Sequence, residues 1–552
     1  MPDREKNANT ARVTTPLHIN INADNFDTET NFIIKLWEES SIRPYILKYS
    51  KGISQQPRVL LFIVFIFLFI FYYNISGESI DKNDVGKTEL MQEVDMLTKI
   101  IPTEGDGECT AILLNWNRLD NIKIIVKNLC QYSMFKEIFI WNNNVDIHLS
   151  DPMFADTHCN KIRYYNSPGN IYFIARYIAC SMATTKYCYF QDDDWMIRHL
   201  RSMYSNFLRF PNLIHTDTNA DVYSSTNWKW CFFNDDIDLH SCYSWVGTGA
   251  FTSRGNVLKF LKMTSKTEMS SLEFIYGDMY FTTYLNQVPY QLENSLIELP
   301  QENGFGLTSE ERMRNKLYMH KALIRLYNYL SSLKNDNSTQ DTKEYSPTFY
   351  ERDVRSPCHN DKCLFLTNKH SFPNIKLFKY KPYINISESE RLHSSFFDTQ
   401  HFISYPYSHA VDNDNSTVWI SQDVIRKDDY IGLDLLLPMP VPLTFNLIMN
   451  HNSDYFNHLS IQISHDGSDW IQLSPLPKLE IHEISSTTKN NLLLCQFRIR
   501  ETGFRFLKLV STRDLNFTFS IYDFTFNGMD NNNDNEVVGD TGLNNNDNDS
   551  GD

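Results

Sequence analysis

The chain has 552 residues, more than a single hydrophobic core organises, and its 42% hydrophobic and 14% aromatic content excludes a largely disordered polymer. A formal charge of −16 argues against nucleic acid as the main partner, because phosphate binding needs a clustered basic surface. A metal ion can still bring an anionic small molecule into such a protein.

Residues 1–58 are polar and without a core pattern, which predicts a mostly disordered cytosolic tail. Val59–Tyr73 is apolar throughout and, extended to Ile75, reaches the short end of a membrane span. It lies too far from the N-terminus, and lacks the small-residue cleavage site, to be an ordinary signal peptide. Arg43, Lys48, Lys51 and Arg58 precede it, whereas only Lys82 and Lys87 follow up to residue 88. The positive-inside rule then predicts a type II signal anchor over 59–75, with the remainder luminal in the Golgi or endoplasmic reticulum. All ten cysteines follow the apolar run, as an oxidising compartment requires, and so do the sequons at Asn337, Asn385, Asn415, Asn516 and Asn548. Cys358 and Cys363 are spaced to close a small loop; connectivity is otherwise open.

Residues 76–108 read as a luminal stem with a short helical stretch at Leu90–Ile101. From Thr110 the pattern changes. Thr110–Asn115, Glu137–Trp141, Lys161–Tyr165 and Tyr187–Gln191 read as strands, with helices at Asp120–Gln131 and Ile171–Ala183 between them, which predicts a mostly parallel sheet covered on both faces. Trp195–Phe210 reads as helical, and Cys231–Cys242 as irregular. Asp192, Asp193 and Asp194 directly follow the fourth strand. A strand end is where an open α/β sheet places its ligand crevice, and adjacent carboxylates there suit a divalent cation bridging phosphate oxygens. By itself an acidic triplet also reads as a solvated turn or a helix cap.

Asn115-Trp-Asn-Arg118, Trp141-Asn-Asn-Asn144, Arg176, the triple Asp, Gly247-Thr-Gly-Ala-Phe251 and Gly277-Asp278, in that order, resemble the exostosin-like glycosyltransferases, glycosyltransferase family 64. The resemblance implies an α/β GT-A (Rossmann-like) domain and a metal-dependent, retaining transfer of a sugar, often N-acetylglucosamine, from a UDP-sugar. It assigns Asp194 to a Mn²⁺ or other divalent cation, Asp192 to the nucleotide ribose, and Asp193 to either role. It places Asn115, Asn117, Arg118, Asn142 and Asn143 against uracil and phosphate, Arg176 on the donor diphosphate, and Asp278 beside the acceptor or the reacting sugar. Taken alone, Asn at strand ends is a turn former, and Asp278 after Gly277 reads as a helix cap. One carboxylate stands near Asp278 where family members often have a pair. Asn303–Leu307 with Arg312 and Arg314 reads as a lid, and His320 either as a metal or phosphate contact or as an ordinary surface residue.

The stretch 334–373 is linker-like and contains the Cys358/Cys363 loop. Beyond it Tyr430–Leu437, Leu443–Met449, His458–Ser464, Gly503–Ser511 and Phe517–Phe526 alternate as strands of an antiparallel sandwich over 374–528. Ser408–Trp419, Asp429–Asp434 and Ile461–Trp470 resemble the discoidin, or coagulation factor 5/8 type C, jelly roll. That resemblance implies a sugar- or surface-binding module, or a scaffold that packs on the transferase. Asp412 and Asp414 read as calcium ligands or as acidic turn residues. The Asn/Asp-rich stretch 529–552 reads as a disordered tail. Together these expectations describe a membrane-anchored glycosyltransferase acting on a glycan or glycoconjugate acceptor. The alternatives are a glycan-binding protein whose GT-A domain has lost activity, or a sugar-phosphate transferase. A homo-oligomer is left open.

Overall fold

The computed structural model describes residues 109–220, 230–294, 296–300, 309–335, 352–369, 379–382, 387–388, 391, 399–440, 442–450, 454–484 and 492–527. The expected tail, anchor and stem over 1–108, the Asn303–Leu307 lid and the tail 529–552 lie outside the described residues, as does half of the expected linker. No helix among the described residues is long and apolar enough to cross a membrane. All of them belong to one compact unit, Gln92–Asp552.

The first half is a seven-stranded mixed sheet. Strands β1 (Cys109–Asn115), β2 (Phe135–Asn142), β3 (Ile162–Asn166) and β4 (Tyr187–Gln191) pair in parallel in the order β4-β1-β2-β3. The sheet continues beyond β4 through β9 (Ala250–Ser253), antiparallel to both its neighbours, to β6 (His215–Thr218) and β10 (Tyr290–Glu293). A two-stranded ribbon, β5 (Trp195–Met196) with β11 (Ile297–Glu298), lies just beyond the acidic triplet.

Period-two alternation sends Ile112, Phe139, Cys188 and Phe190 into one core, and Ala111, Leu113, Ile138, Tyr187 and Tyr189 into the other. This two-sided burial is why these strands read as continuous apolar runs. Helix α1 (Leu119–Cys130) covers the second face with Ile122, Ile125, Val126 and Leu129 at helical spacing. Helix α2 (Ile174–Met182) covers the first, with α4 (Arg254–Lys266), α5 (Ser271–Ile275), α6 (Gly277–Tyr284) and α7 (Ser309–Asn335).

Two expectations for this half are corrected. Trp195–Phe210 is not one helix: Trp195–Met196 pairs as β5, and helix α3 begins only at Leu200 and ends at Arg209. Cys231–Cys242 is not irregular but a hairpin of β7 (Cys231–Asn234) and β8 (Leu239–Cys242) closed by its own cystine. Further cystines join Cys130 to Cys159, Cys180 to Cys188 and Cys358 to Cys363, leaving Cys109 and Cys495 as buried thiols.

The second half is an antiparallel β-sandwich. One sheet has the order β12 (Val354–Pro357), β13 (Leu364–Thr367), β15 (Tyr430–Asp434), β21 (Phe506–Ser511), β17 (Leu459–Ser464), β18 (Ile471–Gln472). The other runs β14 (Trp419–Val424), β22 (Thr518–Asn527), β16 (Leu443–Asn450), β20 (Leu492–Ile499), β19 (Leu479–Ile484). Phe365, Ile431, Leu507 and Ile461 of the first sheet meet Trp419, Phe445, Phe497 and Phe524 of the second. The composition of 334–373 pointed to a linker, yet β12 and β13 pair into the first sheet, so the sandwich begins near Val354.

The outer face of that first sheet is buried too, because Leu364, Leu366, Tyr430, Phe506 and Val510 join the α/β core. Asp361, inside the Cys358–Cys363 loop, accepts from the backbone N–H of Arg201 at 3.1 Å and of Ser202 at 2.8 Å, capping the start of α3. Arg505 grips Asp434 through Nε at 2.6 Å and Nη2 at 2.7 Å, and Nη2 also donates to the Ser205 hydroxyl of α3 at 3.0 Å. Glu293, at the end of β10, accepts from the Ser408 backbone at 2.7 Å.

Candidate nucleotide and metal site

At the C-terminal edge of the parallel strands, β4 delivers Asp192, Asp193 and Asp194 into a cleft of about 150 Å³. Its wall is Leu114, Trp116, Asn117, Arg118, Asn143, Asn170, Tyr172, Phe173 and the three aspartates. The loops after β1 and β2 and before α2 meet the carboxylates there because adjacent parallel strands end together.

Each aspartate has a different environment. Asp192 donates its backbone N–H to the Gly247 carbonyl at 2.8 Å, and its Oδ1 accepts from Arg176 Nη2 at 2.6 Å. The backbone approach is so close that a Cβ on Gly247 would lie 1.8 Å from Asp192 Oδ2. Asp193 pairs with Arg118 Nη1 at 2.7 Å, and its carbonyl accepts from Asn121 of α1 at 2.8 Å. Asp194 Oδ2 lies 3.9 Å from the same Arg118 nitrogen, while its buried Oδ1 has no hydrogen-bond partner. Burial, countered by Arg118 and reinforced by Asp192, pushes the Asp193 carboxyl up to about 6. Burial together with Asp192 and Asp193 pushes Asp194 up to about 7.

Behind Asp192 lies a second cluster. Arg176 is 1% exposed and stands 3.4 Å from Asp278 Oδ1, which also accepts from the Tyr177 hydroxyl at 2.6 Å. Burial opposes the Arg176 charge, but Asp192 and Asp278 hold its pKa above the ordinary value. Burial, offset by Arg176, pushes Asp278 up to about 6.

Of the residues expected to form the site, Asn117, Arg118, Asn143, Asp192, Asp193 and Asp194 line the cleft. Arg176 and Asp278 do not line it; Arg176 backs it through Asp192 and the Phe173 ring, and Asp278 stands behind Arg176. Nor is Asp278 an N-cap, since Tyr276 holds that position and Asp278 sits inside the first turn of α6. Asn115 and Asn142 are also displaced from the expected role. Both are fully buried, Asn115 Nδ2 donating to Asn142 Oδ1 at 2.8 Å and Asn142 Nδ2 to Asn166 Oδ1 at 2.9 Å. They tie three strand ends together.

His320 lies half-buried on α7, away from the cleft wall, with its pKa lowered by burial. Arg314 on the same helix is exposed. Asp412 accepts from the Asp414 N–H at 3.0 Å and the Thr417 hydroxyl at 2.7 Å, and Asp414 from the Ser416 N–H at 2.8 Å, so both serve their own turn. Trp116, Asn170, Tyr172 and Phe173 of the cleft wall escaped sequence reasoning; the only available signal was their place in loops next to strand ends.

The residues present suit a divalent cation. Four buried or part-buried carboxylates, Asp192, Asp193, Asp194 and Asp278, face two guanidinium groups, Arg118 and Arg176; with all four ionised the cluster is short of two positive charges, and Asp194 Oδ1 is unsatisfied. Among the described residues, no three His, Cys, Asp or Glu side chains are grouped to hold a metal by themselves. A cation here would draw further ligands from substrate oxygens or water, as Mg²⁺ does in phosphate sites.

No protein-family model matches the chain, and no curated protein does. Solved structures are similar over roughly a quarter of it. The C-terminal domain of a chitobiase from Bacteroides fragilis aligns at 18% identity over 23% of this chain and 83% of its own, with a TM-score of 0.17. A CBM32 module from Clostridium perfringens in complex with GalNAc-β-1,3-galactose aligns at 17% identity over 22% and 81%, with a TM-score of 0.16. Chitosan-binding module 2 of a chitosanase/glucanase from Paenibacillus sp. IK-5, in complex with chitotriose, aligns at 17% over 23% and 88%, again with a TM-score of 0.16. The sandwich described above stands on its own strand pairing.

Proposed function

We propose that the α/β domain is a GT-A-type glycosyltransferase domain resembling family 64, which takes a UDP-sugar together with Mn²⁺ or another divalent cation and transfers the sugar to a glycan or glycoconjugate. The observation that carries this reading is the two-charge deficit at the end of β4, centred on the unpartnered Oδ1 of Asp194. A departing nucleoside diphosphate gains negative charge, which a divalent cation held by Asp194 would stabilise. Asp194 would be the first ligand, with Asp193 beside it. Arg118 neutralises Asp193 and borders the same cleft, while Arg176 fixes the rotamer of Asp192 from behind. In this reading the chain is a type II protein of the Golgi or endoplasmic reticulum membrane, and the discoidin-like sandwich holds the acceptor glycan.

A second reading is favoured by one observation: Arg176 and Asp278 are locked behind Asp192 rather than presented to the cleft. That suits a glycan-binding protein with a silent nucleotide site. Incubating the purified protein with a panel of UDP-sugars and Mn²⁺, and following sugar transfer and donor hydrolysis, separates the two. Turnover that disappears in Asp194→Ala supports the enzyme; no turnover with any donor, while glycan binding persists, sinks it.

A further inference from the structure

The sandwich is open along one side. Its first sheet ends on β18 and its second on β19, and residues 473–478 carry the chain from one edge to the other. Among the described residues β19 pairs only with β20, so one row of its backbone N–H and C=O groups has no strand beside it. The large apolar side chains that the described part of the sandwich exposes all fall on this side: Ile471 of β18 at 54%, Leu476 at 46% and Ile481 of β19 at 40%. Register explains two of them. Ile471 lies opposite Ile463 and Ile481 opposite Cys495, both core residues, and directly paired residues share a face of the sheet. Both isoleucines therefore point into the space between the sheets where it opens to solvent. Scattered singly, such residues need no explanation; gathered along an unpaired edge, they mark a contact surface.

A second copy of the chain fits this edge, and the sequence of β19 selects its register. Two β19 strands joined antiparallel about a two-fold axis keep their faces aligned only when the axis passes through a residue, because side chains alternate with period two. Centred on Glu480, the axis sets that carboxylate against itself. Centred on His482, it sets Ile481 against the partner's Glu483. Centred on Ile481, it packs Ile481 on the partner's Ile481 and, on the other face, sets Glu480 opposite the partner's His482, twice by symmetry. Glu480 and His482 are exposed, and Lys478 donates to Glu480 Oε1 at 3.0 Å, so the carboxylate has a second oxygen for an imidazole N–H. The exposed Glu483 falls toward the end of the pairing, beside the partner's Leu479. Polar and apolar contacts thus choose the same register.

We propose that β19 is the interface of a homodimer, in which the five-stranded sheets of two copies join through antiparallel β19 strands centred on Ile481, with Ile471 and Leu476 flanking the seam. The contact is isologous and uses up the edge that makes it, so assembly stops at two. It is independent of what the cleft binds.

Sedimentation of the full chain in mild detergent over a concentration series tests the proposal. The wild type should show a monomer–dimer equilibrium. Ile481→Lys places two like charges on the axis, and His482→Glu faces each Glu480 with a second carboxylate. Each should raise the dimer dissociation constant roughly 10- to 100-fold, since symmetry counts every changed pair twice. The double variant Glu480→Lys with His482→Glu sets opposite charges against each other again and should restore association. This rescue distinguishes the edge from self-association through any other part of the chain, which the substitutions would leave unmoved. Far-UV circular dichroism should match wild type throughout, because the altered side chains are exposed; if Ile481→Lys misfolds, the charge swap at the two solvent-facing positions decides alone. A chain that stays monomeric overturns the proposal, and so does a dimer indifferent to every variant. A double variant no better associated than His482→Glu overturns it as well, because the register would then be wrong.

Discussion

Substituting Gly247→Ala tests the site at its tightest point. The added methyl would sit 1.8 Å from Asp192 Oδ2 and 2.6 Å from its Cγ, whereas ordinary contacts stay beyond 3.0 Å. The carboxylate must retreat by more than an ångström, which stretches the 2.6 Å bond to Arg176 Nη2 past hydrogen-bonding range. Because Arg176 is 1% exposed, water cannot replace what is lost. Overpacking of this kind costs about 1–3 kcal/mol, since Asp278 still partly compensates the guanidinium. Urea denaturation would show a lower midpoint at an unchanged slope, and UDP binding with Mn²⁺ would weaken at least ~10-fold, as a buried charge-assisted contact is worth about 1.5–3 kcal/mol. Gly169→Ala is the control, because nothing lies within 4 Å of its added Cβ. Wild-type stability together with wild-type binding in Gly247→Ala would refute the claim that Asp192 is fixed between Gly247 and Arg176.

Two further outcomes follow from charge and capping. Asp193 and Asp194 are raised from 3.8 to about 6 and about 7, so the folded chain keeps protons that the unfolded chain has released. Without a cation, stability therefore falls as pH rises from about 4 toward 7; Mn²⁺ must displace those protons, so its affinity rises across that window and flattens above it. Calorimetry in buffers of different ionisation enthalpy would detect the released protons, and a Mn²⁺ affinity independent of pH between about 5 and 8 would contradict the assignment. Asp361→Ala uncaps α3 and should cost about 1–2 kcal/mol in chemical denaturation, with Asp361→Asn recovering part of it because an amide oxygen still accepts. Equal stability of all three proteins would mean that the cap is replaced by water.

Much of the scaffold was legible because burial leaves a periodic imprint. β1 through β4 and the principal sandwich strands fall within one to three residues of where alternation and turn residues placed them. The hairpin Cys231–Cys242 was not legible, since four-residue strands held by a cystine carry too little alternation to register. Nor were β12 and β13, whose flanking polar residues outweighed the short apolar cores Val354 and Leu364–Leu366. The acidic triplet announced itself by adjacency. The roles of Asn115 and Asn142 did not, because an asparagine bonding a ligand and one bonding the next strand look identical in sequence. The resemblance set Arg176 on the donor diphosphate, and its burial between two carboxylates was not legible for the same reason: those partners are 16 and 102 residues away along the chain.

The bonds that Asp361 accepts from α3 and that Ser408 donates to Glu293 also bear on the proposed division of a donor and an acceptor between the two halves. A module joined by a flexible tether samples a sphere, and raises local concentration according to tether length. Here the outer face of one sandwich sheet is part of the α/β core itself, so anything seated on the sandwich stands at a set distance and angle from Asp194. The arrangement behaves as a ruler rather than a leash. A sandwich-bound glycan would be discriminated by the length of chain between the gripped residue and the free end, with those too short never reaching the cleft.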